Sequence, residues 1–185
     1  VLLFRQSGQD DLIVGFPTAG RSSVESAGTV GYFVNMLPLR ADLSQNPRFG
    51  LFLERVRQSV IAALEHEAYP FALLVERLQP ERDPARSPIF QVMFAFHQSP
   101  SGRSGLSEFA LPEPSARLRL GSLEVGAVAL PKRMAQFDLS LSVAETPEGL
   151  KASFEYNVDL FEAATIAQMV GHYTELLRSI VVDEE

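Results

Sequence analysis

The chain has 185 residues, 46% hydrophobic and 21% charged, an ordinary globular balance. A chain of this length buries about 70% of its unfolded area, enough for one core without staples. A formal net charge of −7, with no long run of Lys or Arg, speaks against nucleic acid as a partner. The absence of cysteine excludes disulfides and thiolate metal sites, and it is compatible with the cytoplasm, where the chain is expected. No apolar stretch approaches the ~20 residues that span a bilayer, so no membrane partner is expected.

Val1-Leu2-Leu3-Phe4 is too short for a signal-peptide core and has no basic region before it. It reads as the severed end of a helix, and with no initiator methionine ahead of it the chain reads as a fragment. Leu12-Ile13-Val14-Gly15-Phe16 is a short apolar run, predicted as a strand buried on both faces. It empties into the turn-rich Pro17-Thr18-Ala19-Gly20-Arg21-Ser22-Ser23. Phe33 to Leu39 reads as a second strand, in which Pro38 requires a bulge or an edge position. Asn35 stands in the middle of that apolar stretch and Arg40 closes it.

Asn46-Pro47 predicts a helix start, with Asn as the cap and Pro at the first helical position. Phe49, Phe52, Leu53, Val56, Val60, Ala63 and Leu64 then follow at helical spacing on one face. Pro70 starts another helix, with Phe71, Leu74, Val75 and Leu78 together. Phe90 to Phe96 returns to strand, with Phe90, Val92, Phe94 and Phe96 along one side and Gln91 opposite. From His97 to Ala116 the chain is rich in Ser, Pro and Gly, a long connection that predicts a functional or mobile segment. Leu139, Leu141 and Val143 alternate with serines, and Leu150, Ala152, Phe154, Tyr156 and Val158 alternate with polar residues. Thr146-Pro147-Glu148-Gly149 joins the two runs as a hairpin. The last helix carries Ile166, Met169, Val170, Tyr173, Leu177 and Ile180 on one face, capped by Asp159 or Glu162. With no internal repeat, the reading is α/β, a single unit of sheet layered with helices.

Catalytic signals are scarce. His66, His97 and His172 are scattered, with no partner at metal-site spacing, so no metal centre is expected. There is no GxSxG elbow, and Ser104 lies in a loop of the wrong form. Gly15 to Arg21 follows a strand but has neither a P-loop lysine nor a three-glycine fingerprint; it reads as a turn bringing Thr18 and Arg21 to a strand end. Asn35 and Gln91 are the more informative polar residues. Each is an amide on an apolar strand, able to donate and accept at a fixed position, either toward a ligand or toward backbone groups beside a bulge. Arg40 and Arg86 read as salt-bridge residues holding loops. The 13 phenylalanines and 4 tyrosines fall mostly on the periodic faces and read as core.

Three segments carry a resemblance: Gly31-Tyr32-Phe33-Val34-Asn35-Met36-Leu37-Pro38-Leu39-Arg40, His66-Glu67-Ala68-Tyr69-Pro70-Phe71, and Arg82-Asp83-Pro84-Ala85-Arg86-Ser87-Pro88-Ile89. Together they resemble the C-terminal motifs of condensation domains from nonribosomal peptide synthetases. Similar wording occurs at Ser7 to Asp11, Gly15 to Arg21, Leu74 to Leu78, Phe137-Asp138-Leu139, Tyr156-Asn157 and Leu160-Phe161, so the likeness spans nearly the whole chain, residues 1–185. It implies a chloramphenicol acetyltransferase-like lobe with a mixed β-sheet, half of a two-lobed V-shaped domain. In that family two carrier proteins deliver thioesters on 4′-phosphopantetheine arms through a tunnel, and the acceptor amine attacks the donor thioester. The general base there belongs to HHxxxDG of the N-terminal lobe, a motif absent from these 185 residues. No catalytic residue is therefore assigned, and the chain alone is expected to be inactive.

The resemblance implies that this lobe supplies the tunnel wall and carrier docking. Asn35 stands nearest the tunnel floor, with Thr18, Gly20, Arg21 and Gln91 in the same region. Arg40, His66, Pro70, Phe71, Arg82, Asp83, Arg86 and Pro88 are the family's structural motif positions. Residues 97–131 correspond to the crossover, or latch, toward the partner lobe, and Phe109, Leu111, Leu118, Leu120 and Leu123 are expected to be poorly covered. Met36 and Pro38 depart from common family residues and bear on donor or acceptor preference. Implied partners are the N-terminal lobe, donor and acceptor carrier proteins and adjacent synthetase modules. A non-catalytic carrier-binding lobe and a coenzyme A-dependent acyltransferase of the same fold are the alternatives.

Overall fold

The computed structural model describes residues 1–185 except 22–24, 26–27, 82, 99–106, 112–115, 129, 131–133, 147 and 183–185. The chain divides into two compact units: Val1–Val92 with Glu162–Glu185, and Met93–Phe161. Strands and helices interleave along the sequence, and the fold class is α/β as expected.

The first unit contains α1 (Leu2–Ser7), β1 (Asp11–Thr18), β2 (Asn35–Asp42), α2 (Phe49–Glu65), α3 (Phe71–Leu78) and α4 (Ala163–Val182). Gly8 ends α1 in the left-handed conformation that suits glycine, its N–H bonding the Phe4 carbonyl. β1 and β2 pair antiparallel, one residue to one, from Asp11↔Asp42 to Thr18↔Asn35. That unbroken register corrects two boundaries. β1 continues through Pro17 and Thr18 where a loop was predicted, and β2 begins at Asn35, with Arg40 inside it. Pro38 needs no bulge because β2 lies at the edge of its sheet. β1 is also less covered than predicted, Ile13 being exposed.

Both α2 and α3 pack against β2. Asn46 does not cap α2: it takes a left-handed φ of 47°, and Arg48 is the N-cap residue, without a side-chain cap bond. Asn tolerates that conformation better than most residues, so the asparagine turns the chain two residues ahead of the cap. Phe52 is buried on α2, whereas Leu53 and Leu64, predicted on the inner face, are exposed. The terminal helix buries Ile166 and Met169, and the Glu162 carbonyl receives the first N–H groups, from Thr165 and Ile166. Among the described residues, Leu37, Leu43, Phe52, Phe90, Ile166 and Met169 are the buried apolar ones of this unit.

The second unit contains β3 (Val92–His97) from Met93 onward, a short 3₁₀ turn (Ser107–Ala110), β4 (Arg117–Leu120), β5 (Leu123–Gly126), β6 (Leu139–Thr146) and β7 (Gly149–Tyr156). Its strands run in the order β3-β6-β7, with β4 and β5 as a separate antiparallel pair. The predicted hairpin is present: Thr146 pairs with Gly149, whose φ of 126° only glycine adopts without strain. On β3 the period of two holds but the buried side is reversed. Ala95 is buried, while Phe94 and Phe96 are exposed. Within 97–131, Leu111 is buried, contrary to expectation, because the 3₁₀ turn packs on β6 and Ser107 donates to the Glu145 carbonyl. Leu120 and Leu123 are exposed as expected. Ser104 lies outside the described residues. Among the described residues, no helix is long and apolar enough to cross a membrane.

Candidate functional site

The β1–β2 ladder ends on the pair Thr18↔Asn35, where polar side chains replace the apolar ones of the strand interior. Asn35 is half-buried, and its amide is almost fully used. Nδ2 donates to the Glu67 carbonyl at 2.9 Å and to the Tyr69 carbonyl at 2.8 Å. Oδ1 accepts the Phe71 N–H at 3.1 Å, satisfying one of the orphan donors in the first turn of α3. Of the two sequence readings of Asn35, the geometry favours satisfaction of backbone groups. The place is the α2–α3 connection, with no bulge involved. Both of its donors are spent on protein carbonyls.

Thr18 is buried, and its hydroxyl donates to the Glu67 carboxylate while accepting the Gly20 N–H at 3.3 Å. Gly20 has a φ of 61°, and a Cβ there would lie 2.0 Å from the Phe33 carbonyl oxygen, so only glycine fits. Arg21 donates to the carbonyls of Thr29 at 2.7 Å and Gly31 at 3.3 Å, and its guanidinium lies 4.3 Å from the Phe33 ring centroid. Thr18, Gly20, Arg21 and Asn35 are therefore one assembly at the end of β1 and β2, closed by the His66–Phe71 connection. Sequence reading did not single out Glu67. The available signal was an acid within the quoted His66–Phe71 segment, one position past the cap of α2.

Gln91 belongs to a different assembly. It precedes β3, and its Nε2 donates to the Ser87 carbonyl at 3.0 Å. It lines an open groove of ≈ 1000 Å³ that also includes Asp83, Arg86, Pro88 and Ile89. Asp83 organises this turn: its Oδ1 accepts the Ala85 N–H, its carbonyl accepts the Arg86 N–H, and its carboxylate lies 3.7 Å from Arg86. Pro88 accepts the Phe90 N–H, and Ile89 takes a φ of 71°, unusual for a β-branched residue. Arg82 lies outside the described residues. The two assemblies meet through Phe90, which is 1% exposed and tilted against Phe71 at a centroid distance of 5.4 Å. The same ring lies over Gly15, whose missing side chain makes the space.

Charge is organised at the periphery. Arg40 makes a bidentate pair with Asp11 at 2.8 and 2.7 Å, which holds the Asp11 carboxyl below its usual range. Glu54, bonded by Arg57 and Gln58 on α2, is lowered to about 2. His66 caps α2 and its Nδ1 lies 2.9 Å from the Ala62 carbonyl. His172 on α4 receives a 3.4 Å bond from Gln6 of α1. His97, at the end of β3, has its pKa lowered by burial. The described residues contain no cluster of His, Asp and Glu suited to a metal ion.

The sequence matches the family described as Condensation domain over residues 1–185. The chain belongs to the condensation-domain family. Among similar curated proteins, tyrocidine synthase 3 of Brevibacillus parabrevis is 38% identical over 100% of this chain and 3% of its own length. Chondramide synthase cmdD of Chondromyces crocatus is 42% identical over 99% of this chain and 4% of its own length. The chain thus spans only a few hundredths of the length of these relatives. Among solved structures, the four-domain nonribosomal peptide synthetase holo-AB3403, bound to AMP and glycine, is similar with a TM-score of 0.89. The two are 26% identical, over 100% of this chain and 14% of that one. The X-domain from teicoplanin biosynthesis shares the fold, with a TM-score of 0.80 over 98% of this chain and 39% of its own at 21% identity. These likenesses identify the assembly of Thr18, Asn35 and the α2–α3 connection as part of a condensation-domain fold.

Proposed function

We propose that this chain is the C-terminal lobe of a condensation domain that joins a carrier-bound donor thioester to a carrier-bound acceptor amine, forming an amide. The lobe supplies the tunnel wall and carrier docking. The general base comes from HHxxxDG of the N-terminal lobe. The observation that carries this reading is the family match through all 185 residues, none of which forms an HHxxxDG. The 39% share of the X-domain chain that is covered supports a division into lobes.

In this reading Asn35, Thr18, Gly20 and Arg21 shape the wall at the strand ends, and Gln91 extends it along the groove beside Ile89. Arg40, His66, Pro70, Phe71, Arg82, Asp83, Arg86 and Pro88 hold the elements behind that wall. Residues 97–131 form the crossover toward the partner lobe. Substrates arrive on the 4′-phosphopantetheine arms of donor and acceptor carriers, adjacent modules supply those carriers, and the reaction runs in the cytoplasm. No cofactor is held by the lobe itself.

The test is amide formation from loaded carriers, measured with this chain alone and with the chain joined to its N-terminal lobe. Product only from the joined protein is the expected result. Carrier binding without turnover in both would leave a docking lobe. Saturable turnover of free coenzyme A esters would overturn the carrier-dependent reading.

A further inference from the structure

We propose that Glu67 is a positioning residue for amide formation, acting through Thr18 and Asn35 and touching no reacting atom. The inference rests on the amide-forming reading above. Glu67 is half-buried just beyond α2, yet the turn it occupies has its own backbone bonds: Glu67 N–H to the Leu64 carbonyl and Tyr69 N–H to the His66 carbonyl. The side chain is therefore not required to close the turn. It points instead at the buried Thr18 hydroxyl. An ionised carboxylate is acceptor-only, and a hydroxyl donating to it makes a charge-assisted bond stronger than a neutral one.

The main chain of the same residue accepts from Asn35, so Glu67 holds both members of the terminal β1–β2 pair. Thr18 passes the restraint on to Gly20, which abuts the Phe33 carbonyl. Three of the five residues placed on the wall, Thr18, Asn35 and Gly20, are consequently set by a clasp with Glu67 at its centre, either directly or through Thr18. Asn35 has both its donors spent on carbonyls, so its contribution is to hold the strand ends and the α2–α3 connection in one geometry. A wall of this kind acts on orientation of the bound thioesters. Misplacement by about 1 Å can cost as much as 100-fold in rate.

The experiment uses the two-lobed domain containing this chain, with amide formation followed at varied acceptor-carrier concentration. Glu67→Ala is expected to lower kcat about tenfold, with KM for the carrier changed less than about twofold. Glu67→Gln, whose amide oxygen still accepts from Thr18, is expected to recover most of that loss. Thr18→Val should reproduce the Glu67→Ala defect, and the double variant should be no worse than either single one. Thermal melts on each variant separate unfolding from misplacement. An unchanged kcat in Glu67→Ala overturns the proposal, as does a loss that tracks the unfolded fraction or a fully additive double variant. A parent domain without turnover overturns the amide-forming reading and this inference with it, whereas an active parent with an indifferent Glu67 overturns the inference alone.

Discussion

Thr18 and Asn35 are the last cross-strand pair of β1 and β2, and Glu67 binds both, one through its carboxylate and the other through its carbonyl. Three segments far apart in sequence thereby meet at one strand end. The bonds are cheap to form because the ladder has already fixed Thr18 and Asn35 opposite each other. Their removal is costly, since carbonyls and N–H groups left half-buried lose partners that water replaces poorly.

Replacing Asn35 by Ala removes the bond to the first N–H of α3 and frees the Glu67 and Tyr69 carbonyls. The expected loss is about 2 kcal/mol of unfolding free energy, measured by urea denaturation. Asn35→Asp should do no better at neutral pH, because a carboxylate then faces two carbonyl oxygens. An Asp variant as stable as the parent would contradict this arrangement.

Gly15 and Phe90 form a second sharp test. A Cβ on Gly15 would come within 2.1 Å of the Phe90 ring, which is almost fully buried. Gly15→Ala is expected to cost about 1–3 kcal/mol through overpacking. Phe90→Leu made in the same chain should recover part of that loss, although Phe90→Leu alone is destabilising. Calorimetric melting of the four proteins in the cycle gives the coupling.

Acid sensitivity follows from Glu54. Its folded pKa is lowered to about 2 from 4.5 by Arg57 and Gln58, so the pair favours the folded state above pH 4.5. That contribution fades as pH falls toward 2. Arg57→Gln should raise the Glu54 carboxyl toward its ordinary value in an NMR titration and flatten the stability profile in this window. The group is exposed, so the effect on midpoint is expected to be small.

His97 acts in a higher window. Burial lowers its folded pKa below 6.5, so the unfolded chain takes up its proton first. The contribution is present above pH 6.5 and declines as pH falls through the folded value. His97→Gln should remove this part of the slope in urea midpoints measured from pH 7.5 downward. An unaltered slope would show that burial of His97 does not differ between the two states.

The exposed apolar residues of the second unit give a solution prediction. Leu123, Val128, Leu130 and Met134 are 66%, 79%, 80% and 86% exposed. Such surface favours self-association of the chain studied alone. Leu123→Lys with Leu130→Lys should lower the scattering mass at high concentration, and joining the chain to its N-terminal lobe should do the same if this segment is covered there.

Local pattern alone determined the α2 face around Phe52, the start of α3 after Pro70, the β6–β7 hairpin at Thr146 to Gly149, and the long terminal helix. Helical and strand periods are written in neighbouring residues, and those contacts close within a few positions. Order and wording of the motifs also identified the condensation-domain family. What only the tertiary structure decided is the partner of each isolated polar residue. Asn35 and Gln91 look equivalent in sequence, each a lone amide beside apolar residues. Packing sends Asn35 to the α2–α3 connection and Gln91 to the Ser87 turn. Likewise, the alternation on β3 set its period while tertiary cover put Ala95 inside and left Phe94 and Phe96 exposed. A side chain's period is local, whereas what lies opposite it depends on segments distant in the chain. Glu67 escaped notice for that reason, because its meaning comes from Thr18, 49 residues earlier.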